Sequence, residues 1–159
     1  IRQNIDNNGI DTSNWLIYQN TRYGFEFKYP SNLNVKEEFA SERSRKGTKY
    51  VMSVRLYDTS VSVVGDESGL LNYSVGIYDN PDNLPLREWI NKYNYNEHDS
   101  GTLTKFGNFE GLLFKVNAMG SKSPKFYFLN NDSVFVIASL QYDDDFIRIA
   151  NSFQNISKI

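Results

Sequence analysis

Few side chains in this sequence are arranged to do chemistry, and the most concentrated of them are acids. Asp143-Asp144-Asp145 sets three carboxylates in a row after Tyr142. Oxygen donors of that kind suit a hard cation such as Ca²⁺. The triplet also precedes Phe146, Ile149, Ala150 and Phe153, spaced as one face of a helix. It therefore reads equally as an N-cap with first-turn acids, placed where the helix dipole favours them. The capping reading is preferred, because calcium usually takes roughly six or more oxygens. Asp79-Asn80-Pro81-Asp82-Asn83 offers oxygens too, but lacks the Gly and closing Glu of a calcium-binding helix-loop-helix. It reads as a strand-to-helix turn.

Arg43, Arg45, Lys46 and Lys49 form the only basic cluster, inside the polar stretch from Ser41 to Lys49. Such a cluster could hold a phosphate, an anionic polymer or an acidic partner. Glu37, Glu38 and Glu42 lie close enough to offset its field, so a solvated loop is the plainer reading. His98, the single histidine, stands beside Glu97 and Asp99. A catalytic pair would need a nucleophile or second base that no motif marks, so it reads as an exposed loop residue. Cysteine is absent, which removes disulfides, thiol catalysis and thiolate metal sites together. No G-x-S-x-G or phosphate-cradling Gly-rich loop occurs. No catalytic residue is assigned, and no cofactor is expected beyond the Ca²⁺ alternative at Asp143, Asp144 and Asp145.

The frame that would position these groups is a single domain, the expectation for 159 residues. Aromatic residues make up 15% of the chain, a load that belongs in a core rather than in a disordered segment. A net charge of −2 and a pI near 5.4 argue against nucleic acid as the partner. Residues 1–14 are rich in Asn and Asp with isolated Ile side chains, and read as a polar linker ahead of a domain spanning 15–159. No apolar run reaches the ~18 residues of a membrane span. The chain begins with Ile, which fits a membrane tether or cleaved signal lying upstream.

Within the domain, Trp15 to Tyr18 and Phe25 to Tyr29 read as a hairpin, closed by Pro30. Phe25, Phe27 and Tyr29 take one side of the second strand, Glu26 and Lys28 the other. Leu33 to Phe39 is a further strand. Tyr50 to Tyr57 alternates Tyr50, Met52, Val54 and Leu56 against Val51, Ser53 and Arg55. Thr59 to Val64 is β-prone, and Leu70 to Tyr78 is a strand with Leu71, Tyr73, Val75 and Ile77 on one side. After Pro85, residues Leu86, Trp89, Ile90 and Tyr93 form one apolar helical stripe. Two hairpins follow, around Gly107-Asn108 and Asn130-Asn131-Asp132, and then the closing helix. Strands joined by short turns imply one antiparallel sheet packed by helices, an α+β domain.

The order of these elements resembles the PsbP-like family, which shares its fold with the Mog1 proteins. The residues that carry the resemblance are Trp15-x-x-Tyr18-x-Asn20, Tyr23-Gly24-Phe25-x-Phe27-x-Tyr29-Pro30 and Leu86-x-x-Trp89-Ile90. Gly107-Asn108-Phe109-Glu110-Gly111 and the closing Ser152-Phe153 extend it over most of the domain. The resemblance implies an α-β-α sandwich on an antiparallel sheet, and bacterial relatives that are secreted, lipid-anchored or membrane-tethered. It also implies work by contact, as in members that bind photosystem II and Mog1 proteins that bind a small GTPase. The leading expectation is a non-enzymatic, extracytoplasmic binding or scaffolding domain. Its partner would be another protein, and it would meet the membrane only through a missing N-terminal anchor. The alternatives are a cytosolic Mog1-like regulator and, third, an enzyme whose pocket would enlist His98 or an acid pair.

Overall fold

The computed structural model of the chain describes residues 3–4, 12–64, 69–93, 101–115 and 123–159. The N-terminal half forms β1 (Gln3–Asn4), β2 (Leu16–Asn20), β3 (Phe25–Tyr29), β4 (Asn34–Phe39), α1 (Glu42–Thr48), β5 (Tyr50–Asp58) and β6 (Leu70–Asp79). The rest forms α2 (Leu86–Tyr93), β7 (Thr102–Phe106), β8 (Phe109–Phe114), β9 (Lys125–Asn130), β10 (Ser133–Ser139), α3 (Asp144–Ser152) and β11 (Gln154–Asn155). An eight-stranded sheet runs β1-β7-β8-β9-β10-β6-β5-β4, antiparallel except for the β1–β7 pair. The fold is thus antiparallel α+β.

Both expected hairpins of the second half are present, with Gly107 and Asn131 at positive φ in their turns. One difference is large. The β2–β3 hairpin does not join the main sheet; with β11 it makes a separate three-stranded sheet, β11-β3-β2. Phe25 and Phe27 explain this arrangement. They point from the small sheet onto the main one and meet Phe135 and Phe153, so the hairpin serves as a lid over apolar strand faces rather than as their neighbour.

The main sheet buries residues on both faces. Against one face lie Phe25 and Phe27 of β3 and Phe146, Ile149 and Ala150 of α3, in the larger cluster. Against the other face lie Trp89 and Ile90 of α2, over Leu112, Tyr127 and Val136. Both expected helices therefore bury the stripe their spacing predicted.

Two local readings change. Ser41 to Lys49 is not a loop: it contains α1. Ser41 caps it, its Oγ accepting from the Ser44 N–H at 3.2 Å, and Glu42 sits in the first turn. Lys49, at φ 61°, turns the chain out of the helix. The β-prone run from Thr59 to Val64 does not continue β5. Asp58 Oδ1 accepts from both the Ser60 N–H (2.9 Å) and its hydroxyl (2.6 Å), a local turn that competes with the ladder. No helix among the described residues is long and apolar enough to cross a membrane.

Candidate functional site

The helix α1, which carries Arg43, Arg45 and Lys46, borders a groove on the α2 side of the main sheet through Ser44 and Thr48. Its floor is made of small residues, Ser53 of β5, Ser74 and Gly76 of β6, and Ala138 of β10. Ser44 and Thr48, one turn apart on α1, form one wall, and Tyr50, Tyr78 and Tyr127 rise around it. The groove encloses about 530 Å³, within the ~300–1,000 Å³ of small-molecule sites.

Tyr50 lines this groove because of a bulge. Strict alternation put it beside Met52, on the core side. In the structure Tyr50 pairs with Tyr78 and Met52 with Ile77, so Val51 is the extra residue. The shift turns Tyr50 onto the Ser53 face, while Val51 joins the larger core cluster. The Tyr50 hydroxyl is bonded to Ser53 Oγ at 2.8 Å and donates to the Glu38 carbonyl at 3.2 Å. Burial holds the Tyr78 phenol above its ordinary range, with Tyr50 adding to the effect, so the Tyr78 hydroxyl keeps its proton near pH 7. The rings continue from Tyr50 to Tyr78 (5.6 Å), Trp89 (5.4 Å) and Tyr93 (5.4 Å), which ties the groove to α2.

Charge enters from three elements. Arg43 is exposed on α1, and Arg45 and Lys46 belong to the same helix. Lys49 leaves the cluster, its Nζ lying over the Tyr93 ring at 5.8 Å. Arg55 of β5 and Lys125 of β9 line the groove itself. Arg55 pairs with Glu38 at 3.1 Å while keeping over a third of its side chain exposed. Sequence reading missed both. Arg55 stood alone on the polar side of a strand, and Lys125 opened another, with no local pattern to link them to α1.

The acidic triplet is engaged at α3. Asp143 is the N-cap: Oδ1 accepts from the Phe146 N–H at 2.8 Å, and Oδ2 from the Tyr73 hydroxyl at 2.9 Å. Asp145 pairs with Arg148 at 3.0 Å, and Asp144 reaches the same guanidinium at 3.9 Å. The turn at Asp79–Asn83 lies elsewhere. Tyr73, beside Asp143, and Asp79 are the opposite ends of a seven-residue run of β6, about 20 Å apart. No group of three His, Cys, Asp or Glu among the described residues could hold a metal ion. His98 lies outside the described residues.

The Tyr73–Asp143 bond carries a pH dependence. Burial first, and then the Asp143 charge, raise the Tyr73 phenol above its ordinary value of 10.0. An unfolded phenol ionises near that value while the folded one keeps its proton. The bond's contribution is therefore complete below pH 10 and is lost as pH rises through the folded pKa. Tyr18, buried and bonded to Glu37, behaves likewise. Alkaline titration should show these tyrosines forming phenolate only as circular dichroism reports unfolding. Tyr73→Phe should lower stability near neutral pH and flatten its decline above pH 10. A decline as steep as the parent's would contradict the coupling.

These features define a class first: an antiparallel α+β domain with a second small sheet, presenting a basic, tyrosine-walled groove. Comparison with known proteins narrows the fold. No family model matches the chain, and no curated protein matches it in sequence. Among solved structures it is similar to cyanobacterial PsbP (CyanoP) from Synechocystis sp. PCC 6803. That likeness has a TM-score of 0.50 at 14% identity over 96% of this chain and 98% of that one. It is also similar to a protein from Bacteroides thetaiotaomicron, at TM-score 0.50 and 14% identity, covering 87% of this chain. The chain spans about half of that protein, 47% of its length. The fold is PsbP-like.

Proposed function

We propose that this domain is a non-enzymatic binding module that takes an acidic segment of a partner protein in the groove beside α1. One observation carries the reading: in a chain of net charge −2, the helix that carries Arg43, Arg45 and Lys46 borders a groove lined by Arg55 and Lys125. Charge of one sign around a cleft concentrates and orients partners of the other. The tyrosine walls and small floor accept an extended segment between the charges. The groove's own hydroxyls are engaged with each other and with backbone, as at Tyr50–Ser53 and Thr48–Ser44. The PsbP-like fold supports placing the domain outside the cytoplasm on an N-terminal anchor, a point the coding sequence upstream of Ile1 decides.

The test is fluorescence anisotropy with a labelled Glu- and Asp-rich peptide. Binding should weaken as salt rises, because the contact is largely electrostatic. The double variant Arg43→Glu, Lys46→Glu should weaken it by about tenfold, and a neutral peptide of equal length should not bind. Equal binding by the charge-reversed variant would overturn the reading. So would tighter binding of a single-stranded oligonucleotide.

A further inference from the structure

A second cleft lies on the outer face of the small sheet, beside α3, and its chemistry differs from that of the groove. Glu26 and Lys28 project from the side of β3 opposite Phe25 and Phe27, and alternation predicts that both meet water. Lys28 does. Glu26 is only 9% exposed, and its carboxylate accepts from Gln19 Nε2 at 2.6 Å on one oxygen and from Gln154 Nε2 on the other. An ionised carboxylate has about four acceptor positions, so two amides leave half of its capacity open. Among the described residues, no cation lies within ion-pair distance of it. A carboxylate so buried without a counter-charge is costly unless something completes it.

Cations stand at the rim of the same cleft. Lys28 Nζ has no partner among the described residues. Arg148 of α3 spends Nη1 on Asp145 at 3.0 Å and lies over the Trp15 ring at 5.9 Å. Its Nε is buried with no hydrogen-bond partner. Trp15 and Ile17 supply apolar wall, and Gly107 and Asn108 of the β7–β8 turn close one side. Asn151 Oδ1 holds that turn, accepting from the Gly107 N–H at 2.8 Å. The enclosed space is about 360 Å³, at the small end of ligand sites.

A simple anion would face Glu26, and a simple cation would face Lys28 and Arg148. A molecule carrying both charges meets neither conflict. Glu26 and Lys28 are two residues apart on β3, about 7 Å, a span that a zwitterion of one or two residues can bridge between the two side chains. We propose that this cleft binds a small zwitterion with an apolar side group, a free amino acid or dipeptide. Its ammonium would sit on Glu26, its carboxylate on Lys28 and Arg148, and its side chain on Trp15 and Ile17. The site is separate from the groove and does not depend on the function proposed there.

Calorimetric titration of the protein with L-leucine and L-leucyl-L-leucine tests this, against N-acetyl-L-leucine and L-leucinamide, each of which keeps one charge. At least one zwitterion should bind, and both single-charge analogues should bind at least about tenfold more weakly. Glu26→Gln should cost about tenfold in affinity, and Lys28→Met, at an exposed position that should leave folding intact, should cost severalfold. No binding of either zwitterion at millimolar concentration overturns the proposal. So does equal binding of N-acetyl-L-leucine, which would mark a plain anion site, or equal binding of L-leucinamide. If Glu26→Gln does not fold, the analogue series and Lys28→Met decide. Unchanged affinity in a folded Lys28→Met counts against the assigned carboxylate position.

Discussion

Replacing Phe153 with alanine should destabilise the domain by about 4 kcal/mol, a large share of the ~5–15 kcal/mol that holds a typical domain folded. The reason is its position rather than its size. Phe153 follows α3 directly and is 2% exposed. Its ring stacks on Phe25 at 5.2 Å and meets Phe128 and Phe135 edge-on at 5.1 and 5.4 Å. Phe109 approaches at 5.6 Å from the β7–β8 hairpin. One side chain thus joins the small sheet, three strands of the main sheet and the end of α3. Truncation removes buried area and leaves a cavity that rings held by four separate strands cannot collapse to fill. Favourable aromatic geometry is lost as well. Thermal melting should fall by roughly 8–16 °C, given ~2–4 °C per kcal/mol at this size. Leu140→Ala, at a position 57% exposed, should shift stability by less than ~0.5 kcal/mol. A loss of under ~1 kcal/mol at Phe153 would mean that the two sheets do not share this core.

The second large effect is expected at Gly111, in the interior of β8. Its backbone is ordinary, so the demand is for space. A Cβ there would fall well inside contact distance of the Tyr127 carbonyl oxygen and 2.9 Å from the Phe126 ring. Gly111 pairs with Thr104 on one side and Phe128 on the other, so the strand cannot move aside without opening a ladder. Gly111→Ala should cost at least ~3 kcal/mol, the upper end of ordinary overpacking, because the opposing atom is backbone. Denaturant unfolding measures it, and a loss of cooperativity would be a stronger form of the same result. Gly47 gives the opposite sign. A Cβ there meets nothing within 4 Å, on an α1 residue exposed to solvent, so Gly47→Ala should stabilise by about 0.5–1 kcal/mol. Near-native stability in Gly111→Ala would show that β8 and β9 are looser than their spacing indicates.

The elements legible in the sequence were those whose cause is local. Gly107-Asn108 and Asn131-Asp132 fix their own turns, and the stripes at Leu86–Tyr93 and Phe146–Phe153 need no distant partner to be seen. Asp143 was readable as a cap because a cap is defined by the three residues that follow it. What escaped was set at long range or by a single residue. The helix α1 has seven residues, too few to show an apolar period. The bulge at Val51 turns on one extra residue, and it moved Tyr50 from the core to the groove. The small sheet depends on Gln154 meeting Glu26 across a separation of 128 residues. The cleft inherits that difficulty: Trp15, Glu26, Asn108 and Arg148 come from four regions, and neither charge nor spacing connects them in the chain.

The pairing of β11 with β3 has a consequence for how the protein is made. The hairpin that holds Phe25 and Phe27 is synthesised well before Gln154–Asn155, with 128 residues separating Glu26 from Gln154. The Ile156 N–H bonds to the Gly24 carbonyl at 2.9 Å and that of Ile159 to Thr21 at 3.2 Å, so the closing residues bind directly to that early hairpin. Until they emerge from the ribosome, the hairpin has an unpaired edge and Phe153 is absent from between the two sheets. Contacts this distant are slow to form and leave apolar surface exposed meanwhile. The growing chain therefore carries a sticky hairpin until the residues from Phe153 onward are made, and a product cut short before Phe153 would be a substrate for chaperones and proteases rather than a smaller working domain.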